Sequence, residues 1–170
     1  MAGAGGIQPQ EMRLRVAQPD DYDALGQLVY DAVHAEPSPY NAAQRAAWMP
    51  APRHGADWHA RLAGQHVVVA EDGAGIAQGF MSLEPGDDPG HGYVDFAYIR
   101  AEARGSGLFR RIYAEIEKHA RDAGLTRLNT HASLAAQPAF AAMGFVVEEE
   151  EAVAIGAEKL KRFAMMHSLD

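Results

Sequence analysis

Two stretches of this sequence combine residue types able to do chemistry with a spacing that supports it. The first is Tyr98-Ile-Arg-Ala-Glu-Ala-Arg104-Gly105-Ser106-Gly107-Leu108-Phe109, in which two glycines flank one serine. Glycine reaches positive φ, and its missing Cβ lets a ligand approach the main chain. Where such a turn opens a helix, successive N–H groups carry partial positive charge and hold a phosphate without a lysine. Arg104 adds a charge at the mouth of the loop. The stretch fits neither nucleotide motif, because it lacks the third glycine of a dinucleotide fingerprint and the Gly-Lys-Ser/Thr ending of a P-loop. The second feature is Asp95, in a segment otherwise dominated by apolar residues. A carboxylate there is costly unless it is used or paired. It is either a general base or an aspartate bonded to a loop or an arginine.

Other chemistries lack their residues. There is no cysteine, so no thiolate nucleophile and no disulfide framework. The eight histidines are scattered without His-x-x-x-His spacing, which argues against a metal site. Ser106 is not in the Gly-x-Ser-x-Gly context of a nucleophile elbow.

The elements that would position these residues follow from pattern. Met12–Ala17 alternates apolar and charged residues as a half-buried strand does. Asp20 and Asp21 precede a helix carrying Tyr22, Leu25, Leu28, Val29, Ala32 and Val33, stopped by Glu36-Pro-Ser-Pro39. Asn41–Trp48 reads as a short helix and Asp57–Leu62 as a further turn. His66–Glu71 and Ile76–Leu83 form a hairpin about Asp72-Gly73. Glu84–Gly92 is a loop, and Tyr93–Ile99 is the strand leading to the glycines. From near Gly105 to Asp122 runs the best-marked helix, with Leu108, Ile112, Ile116 and Ala120 on one stripe and Gly124 as its stop. Arg127–Thr130 is a strand, Ala135–Met143 a helix closed by Gly144, and Phe145–Ile155 with Leu160–His167 a terminal hairpin. The second arm of that hairpin is equally compatible with a helix. A right-handed crossover makes Tyr93–Ile99 and Arg127–Thr130 parallel. The sum is an α/β fold, with a mixed, mostly antiparallel sheet of six or seven strands and helices on both faces.

Against this background the glycine loop resembles the acetyl-CoA motif of the GNAT superfamily of N-acetyltransferases, Arg/Gln-x-x-Gly-x-Gly/Ala at the start of the central helix. Arg104 and Gly107 match, and Phe109 stands where the family prefers Gly or Ala. Ala139-Phe140-Ala-Ala-Met143-Gly144-Phe145 is similar to the family's late Phe-Tyr-x-x-x-Gly-Phe segment, and the order of elements fits over residues 11–170 as one domain.

The resemblance implies an acyltransferase that moves an acetyl group from acetyl-CoA, its co-substrate, to a primary amine by direct attack in a ternary complex, with no metal. It implies that the main chain at Ala97, Tyr98 and Ile99 pairs with the pantetheine arm and polarises the thioester. The amides of Arg104, Gly105, Ser106, Gly107, Leu108 and Phe109 would hold the pyrophosphate. Asp95 falls where some members carry a carboxylate, and is the expected base, with ordered water as the alternative. Glu84 and His91 are weaker candidates. Phe140 replaces the usual acid, a tyrosine; it can pack on the cofactor arm but has no proton to give. Ser133 aligns with a frequent asparagine, and Ser133 or His131 could substitute as acid. Tyr40, Trp48, Met49 and Trp58 are either core or an aromatic acceptor pocket. The alternative within the same fold is a non-catalytic acyl-CoA-binding or regulatory module.

Composition agrees. A length of 170 residues suits one domain, and 48% hydrophobic with 22% charged residues is ordinary for a soluble protein. Fifteen basic against 23 acidic residues give a net charge of -8, which argues against nucleic acid as a partner. Residues 1–10 read as a flexible leader with no signal peptide, and no segment suits a membrane. The expected partner is a small-molecule or peptide amine acceptor, and the expected setting a cytoplasmic monomer or homodimer.

Overall fold

The computed structural model describes residues 11–170; the expected leader lies outside them. Strands β1 (Arg13–Val16), β2 (His66–Glu71), β3 (Ala77–Pro85), β4 (His91–Ile99), β5 (Arg127–Ser133), β6 (Val146–Ile155) and β7 (Glu158–Ser168) build one sheet. Their order is β1-β2-β3-β4-β5-β7-β6, and β4–β5 is the parallel pair of an otherwise antiparallel sheet. The helices are α1 (Tyr22–His34), α2 (Ala42–Trp48), α3 (Gly55–Ala63), α4 (Leu108–Asp122) and α5 (Gln137–Ala142).

Central strands buried on both faces need apolar residues in both alternating sets. Val67, Val69 and Phe80 pack with Leu25, Leu28 and Val29 of α1 and Leu62 of α3. Val68, Met81 and Leu83 pack on the opposite face with Leu108, Ile112 and Ile116 of α4 and Phe140 of α5. The α4 stripe is buried as its spacing predicts, and Gly124 ends the helix at φ +78.

Several boundaries differ from expectation, four of them with a clear physical reason or consequence. Helix α4 starts at Leu108, because Gly105 and Gly107 at φ +73 and +84 cannot continue a right-handed helix. The expected 84–92 loop is shorter, since Glu84 and Pro85 pair with Tyr93 and Gly92. Strand β5 runs on to Ser133 because β7 pairs with it through Arg162. That pairing also makes the last segment a strand. The 57–62 turn is the nine-residue helix α3.

Candidate active site

The site begins where two strands part. The β4–β5 ladder joins His91–Val94 to Arg127–Thr130 and then stops. Beyond it β4 stays on β3 as far as Ile99↔Gly79, while β5 stays on β7 as far as Ser133↔Arg162. Each strand keeps its outer neighbour while losing the inner one. The Arg100 N–H donates to Gln78 O at 2.8 Å. Alternation along an antiparallel strand then turns the main-chain polar groups of Ala97 and Ile99 away from β3 and into the gap.

A bulge lies just before that segment. The β3–β4 register shifts between Met81 and Leu83, and Phe96 N–H donates to the buried Ser82 Oγ at 3.0 Å. An extra residue resets side-chain alternation. Asp95 therefore does not share a face with Ala97 and Ile99, contrary to simple period-two reading. Ala97 and Ile99 pack with the α4 core, Phe96 and Tyr98 with the α1–α3 core, and Asp95 reaches α3.

After Ile99 the chain makes a tight turn at Ala101–Ala103 and reaches the glycines. Nothing stands within 4 Å of where a Cβ would sit on Gly105 or Gly107, so positive φ, and not crowding, calls for glycine there. Gly107 is the N-cap of the 15-residue α4 and offers no side-chain cap. The first-turn N–H groups of a helix have no intrahelical acceptor. Arg104 lines the cleft, with its guanidinium anchored on main-chain carbonyls. Its Nη2 donates to Ala32 O at 2.9 Å and its Nε to Ile99 O at 3.3 Å, clamping α1 to the end of β4. Ser106 Oγ donates to Ala103 O. The exposed Arg110, which sequence reading missed, lines the cleft and has no ion-pair partner among the described residues.

The gap and the loop open into one cleft of about 450 Å³. Ala97, Tyr98, Ile99, Arg104, Gly105, Gly107, Leu108, Phe109 and Ser133 line it, with Tyr40 and Trp48 on the α2 side and Ala136, Ala139 and Met143 on the α5 side. Phe140 does not. It is 2% exposed, with its ring edge-on to Phe109 at 5.2 Å and Phe145 at 5.0 Å, so the late motif supplies core packing and Ala139 takes the cleft wall. Of the four large side chains left open by sequence, Tyr40 and Trp48 reach the cleft, while Met49 and Trp58 are buried with the α1–α3 core.

Both oxygens of Asp95 are engaged. Arg61 Nη2 donates to Oδ1 at 2.9 Å, and Arg61 Nε and Gln65 Nε2 donate to Oδ2 at 3.0 and 2.7 Å. Asp95 is not among the cleft-lining residues. Glu84 accepts from Gln65 Nε2, and burial, helped by Asp95, raises its carboxyl pKa. His91 lies 3.7 Å from the exposed Asp88. Tyr93 Oη and His131 Nδ1 are 2.7 Å apart, and burial followed by Arg162 lowers the His131 pKa. Ser133 Oγ accepts from Ala136 N–H at 3.1 Å, leaving its own hydrogen uncommitted. Tyr40 donates its hydroxyl hydrogen to Lys161 O.

The profile of the acetyltransferase (GNAT) family matches residues 29–145. The chain belongs to that family. It is an acyltransferase whose seven-stranded sheet has the GNAT arrangement. A GNAT structure from Rhodopseudomonas palustris, described as "Aminotransferase, Class-II", is 28% identical, over 92% of this chain and 95% of that one, at a TM-score of 0.80. The yncA protein of Salmonella typhimurium, solved with its cofactor acetyl-CoA, is 22% identical, with 94% of each chain covered and a TM-score of 0.65. The paiA N-acetyltransferase of Thermoplasma acidophilum, solved with coenzyme A, is 13% identical, over 92% and 98%, at 0.70. At such identities the last two show likeness of fold. No curated protein matches the sequence. Among the described residues of this GNAT chain, no helix is long and apolar enough to cross a membrane, and no group of three or more His, Asp or Glu side chains could hold a metal ion.

Proposed function

We propose that the protein transfers an acetyl group from acetyl-CoA to a primary amine, small-molecule or peptide, by direct attack within a ternary complex. The observation that carries this is the parting of β4 from β5, with the Ala97 and Ile99 main chain turned into a cleft that ends at the Gly105–Gly107 turn. An extended amide-bearing arm would complete the sheet edge there, and the uncapped first turn of α4, with Arg110 beside it, suits a pyrophosphate. An aliphatic amine has a pKa near ~10 and must lose a proton before its nitrogen attacks the thioester carbon. As the C–N bond forms and the C–S bond breaks, a main-chain N–H at 97–99 would carry the oxyanion charge. The CoA thiolate then takes a proton, for which the cleft-lining Ser133 hydroxyl or solvent water would serve, since Phe140 has no proton to give. With Asp95 held by Arg61 and Gln65, the amine proton leaves to water in the cleft.

Thermal denaturation with acetyl-CoA tests the binding half. Saturation at about 100 times Kd adds about 2.7 kcal/mol, a rise of several degrees for a chain of this size. Absence of any shift with acetyl-CoA or CoA would remove the reading. A shift without thiol release across an amine panel would instead favour a non-catalytic acyl-CoA-binding module.

A further inference from the structure

A second cavity, of about 480 Å³, lies between α2 and α3 and shares the Trp48 wall with the cleft. Its lining includes Arg53, His54, Asp57, Trp58 and Arg61. Arg53 is built into place. A Cβ at Gly26 of α1 would stand 1.9 Å from the Arg53 carbonyl oxygen, so only glycine admits this approach. Its guanidinium lies 5.8 Å from the Trp58 ring and 5.8 Å from the Phe96 ring. Yet its Nε is buried without an acceptor, and Arg53 has no salt bridge among the described residues.

The neighbouring charges do not satisfy it. Arg61 is matched by Asp95 at 2.9 Å. Asp57, exposed in the first turn of α3, makes no ion pair with Arg53. One guanidinium charge therefore remains unspent against aromatic rings. A buried donor without an acceptor is costly, and the group whose two oxygens match a guanidinium fork is a carboxylate. The cavity also abuts the reacting end of the cleft: the Trp48 ring is 6.5 Å from Tyr98, the residue between Ala97 and Ile99.

We infer that Arg53 receives the carboxylate of the acceptor, which makes the acceptor an amino-carboxylate such as a free amino acid. This rests on the acetyltransferase reading above. The Arg53 guanidinium would hold the carboxylate on the α2–α3 side while the amine passes Trp48 to the thioester at Ala97–Ile99. Acceptor choice would then lie in a charged fork outside the acetyl-CoA cleft.

The experiment measures CoA release at saturating acetyl-CoA with a panel of amino acids, each beside its carboxamide and its decarboxylated amine. At least one amino acid should exceed its two partners in kcat/KM by about 10- to 100-fold, the range for a hydrogen bond to a charged group. Arg53→Met, which keeps packing against Trp58 and Phe96, should raise KM for that amino acid by a similar factor. It should leave kcat, the carboxamide rate and the acetyl-CoA melting shift unchanged. Equal rates for acid and carboxamide, or an unchanged KM in Arg53→Met, would overturn the inference while thiol release preserved the acetyltransferase reading. Loss of the acetyl-CoA shift in the wild-type protein would sink both. The comparison of acid with carboxamide needs no variant, so a poorly folding Arg53→Met does not blunt it.

Discussion

The Asp95 carboxylate is held by three donors from Arg61 and Gln65 and is not among the cleft-lining residues, which fits a structural part better than that of a base. Asp95→Asn keeps the shape and removes the charge opposite a guanidinium that is 44% exposed. Partial exposure discounts the pair, and a stability loss of about 1 kcal/mol is expected in urea denaturation. The CoA-release rate should stay within about threefold of wild type. A loss of ~10²-fold with unchanged stability would restore Asp95 as the base. Sequence alone made it plain that a carboxylate in an apolar strand needs a use or a partner. It left the choice open because the partner stands 34 residues away on α3. For a related reason Phe140 does not line the cleft. A motif position says which residue sits on the helix but not which way its face turns, and here the Phe109 and Phe145 rings draw it inward.

At the level of elements, the crossover from β4 through α4 to β5 was legible because each part has its own period and the handedness of the connection is nearly fixed. The bulge and the parting of the strands were not. The first depends on the Ser82 hydroxyl meeting the Phe96 amide across the ladder, and the second on β7 taking β5's pairing. Neither leaves a mark in local pattern. The glycine turn was readable, and it carries the sharpest test at this scale. Gly107 at φ +84 caps α4, and an alanine there bears a left-handed strain of about 1 kcal/mol. Gly156, at φ +59 in the remote β6–β7 turn, is the matched control, since nothing crowds a Cβ at either position. Both alanine variants should lose similar stability on denaturation. Only Gly107→Ala should also weaken acetyl-CoA, by about tenfold or more, because tilting the first turn misdirects the N–H groups proposed to grip the pyrophosphate. Equal acetyl-CoA shifts in the two variants would detach the loop from cofactor binding.

Across the whole molecule, protons link regions that do not touch. On the α4 side the His66 and His119 rings stack at 3.6 Å, tying β2 to α4; burial first, then His119, lowers the His66 pKa. At the β4–β5 floor His131 is lowered as well, by burial and then Arg162. A histidine whose folded pKa lies below its ordinary value of about 6.5 is protonated more readily in the unfolded chain. Acidification through about pH 6.5 therefore draws the equilibrium toward unfolding, and stability rises again as pH climbs back through that window. The melting temperature should accordingly be a few degrees lower at about pH 5.5 than at about pH 7.5, before most carboxylates begin to titrate. His66→Gln should shrink that difference without changing the acetyl-CoA shift, because His66 pairs with Leu83 at the far end of β3 from the cleft-lining Ile99, which pairs with Gly79. His131→Gln should shrink it too, while replacing the imidazole that now pairs with the Tyr93 hydroxyl. A melting temperature flat across the interval, or a slope untouched by His66→Gln, would show that the stacked pair does not couple protonation to folding.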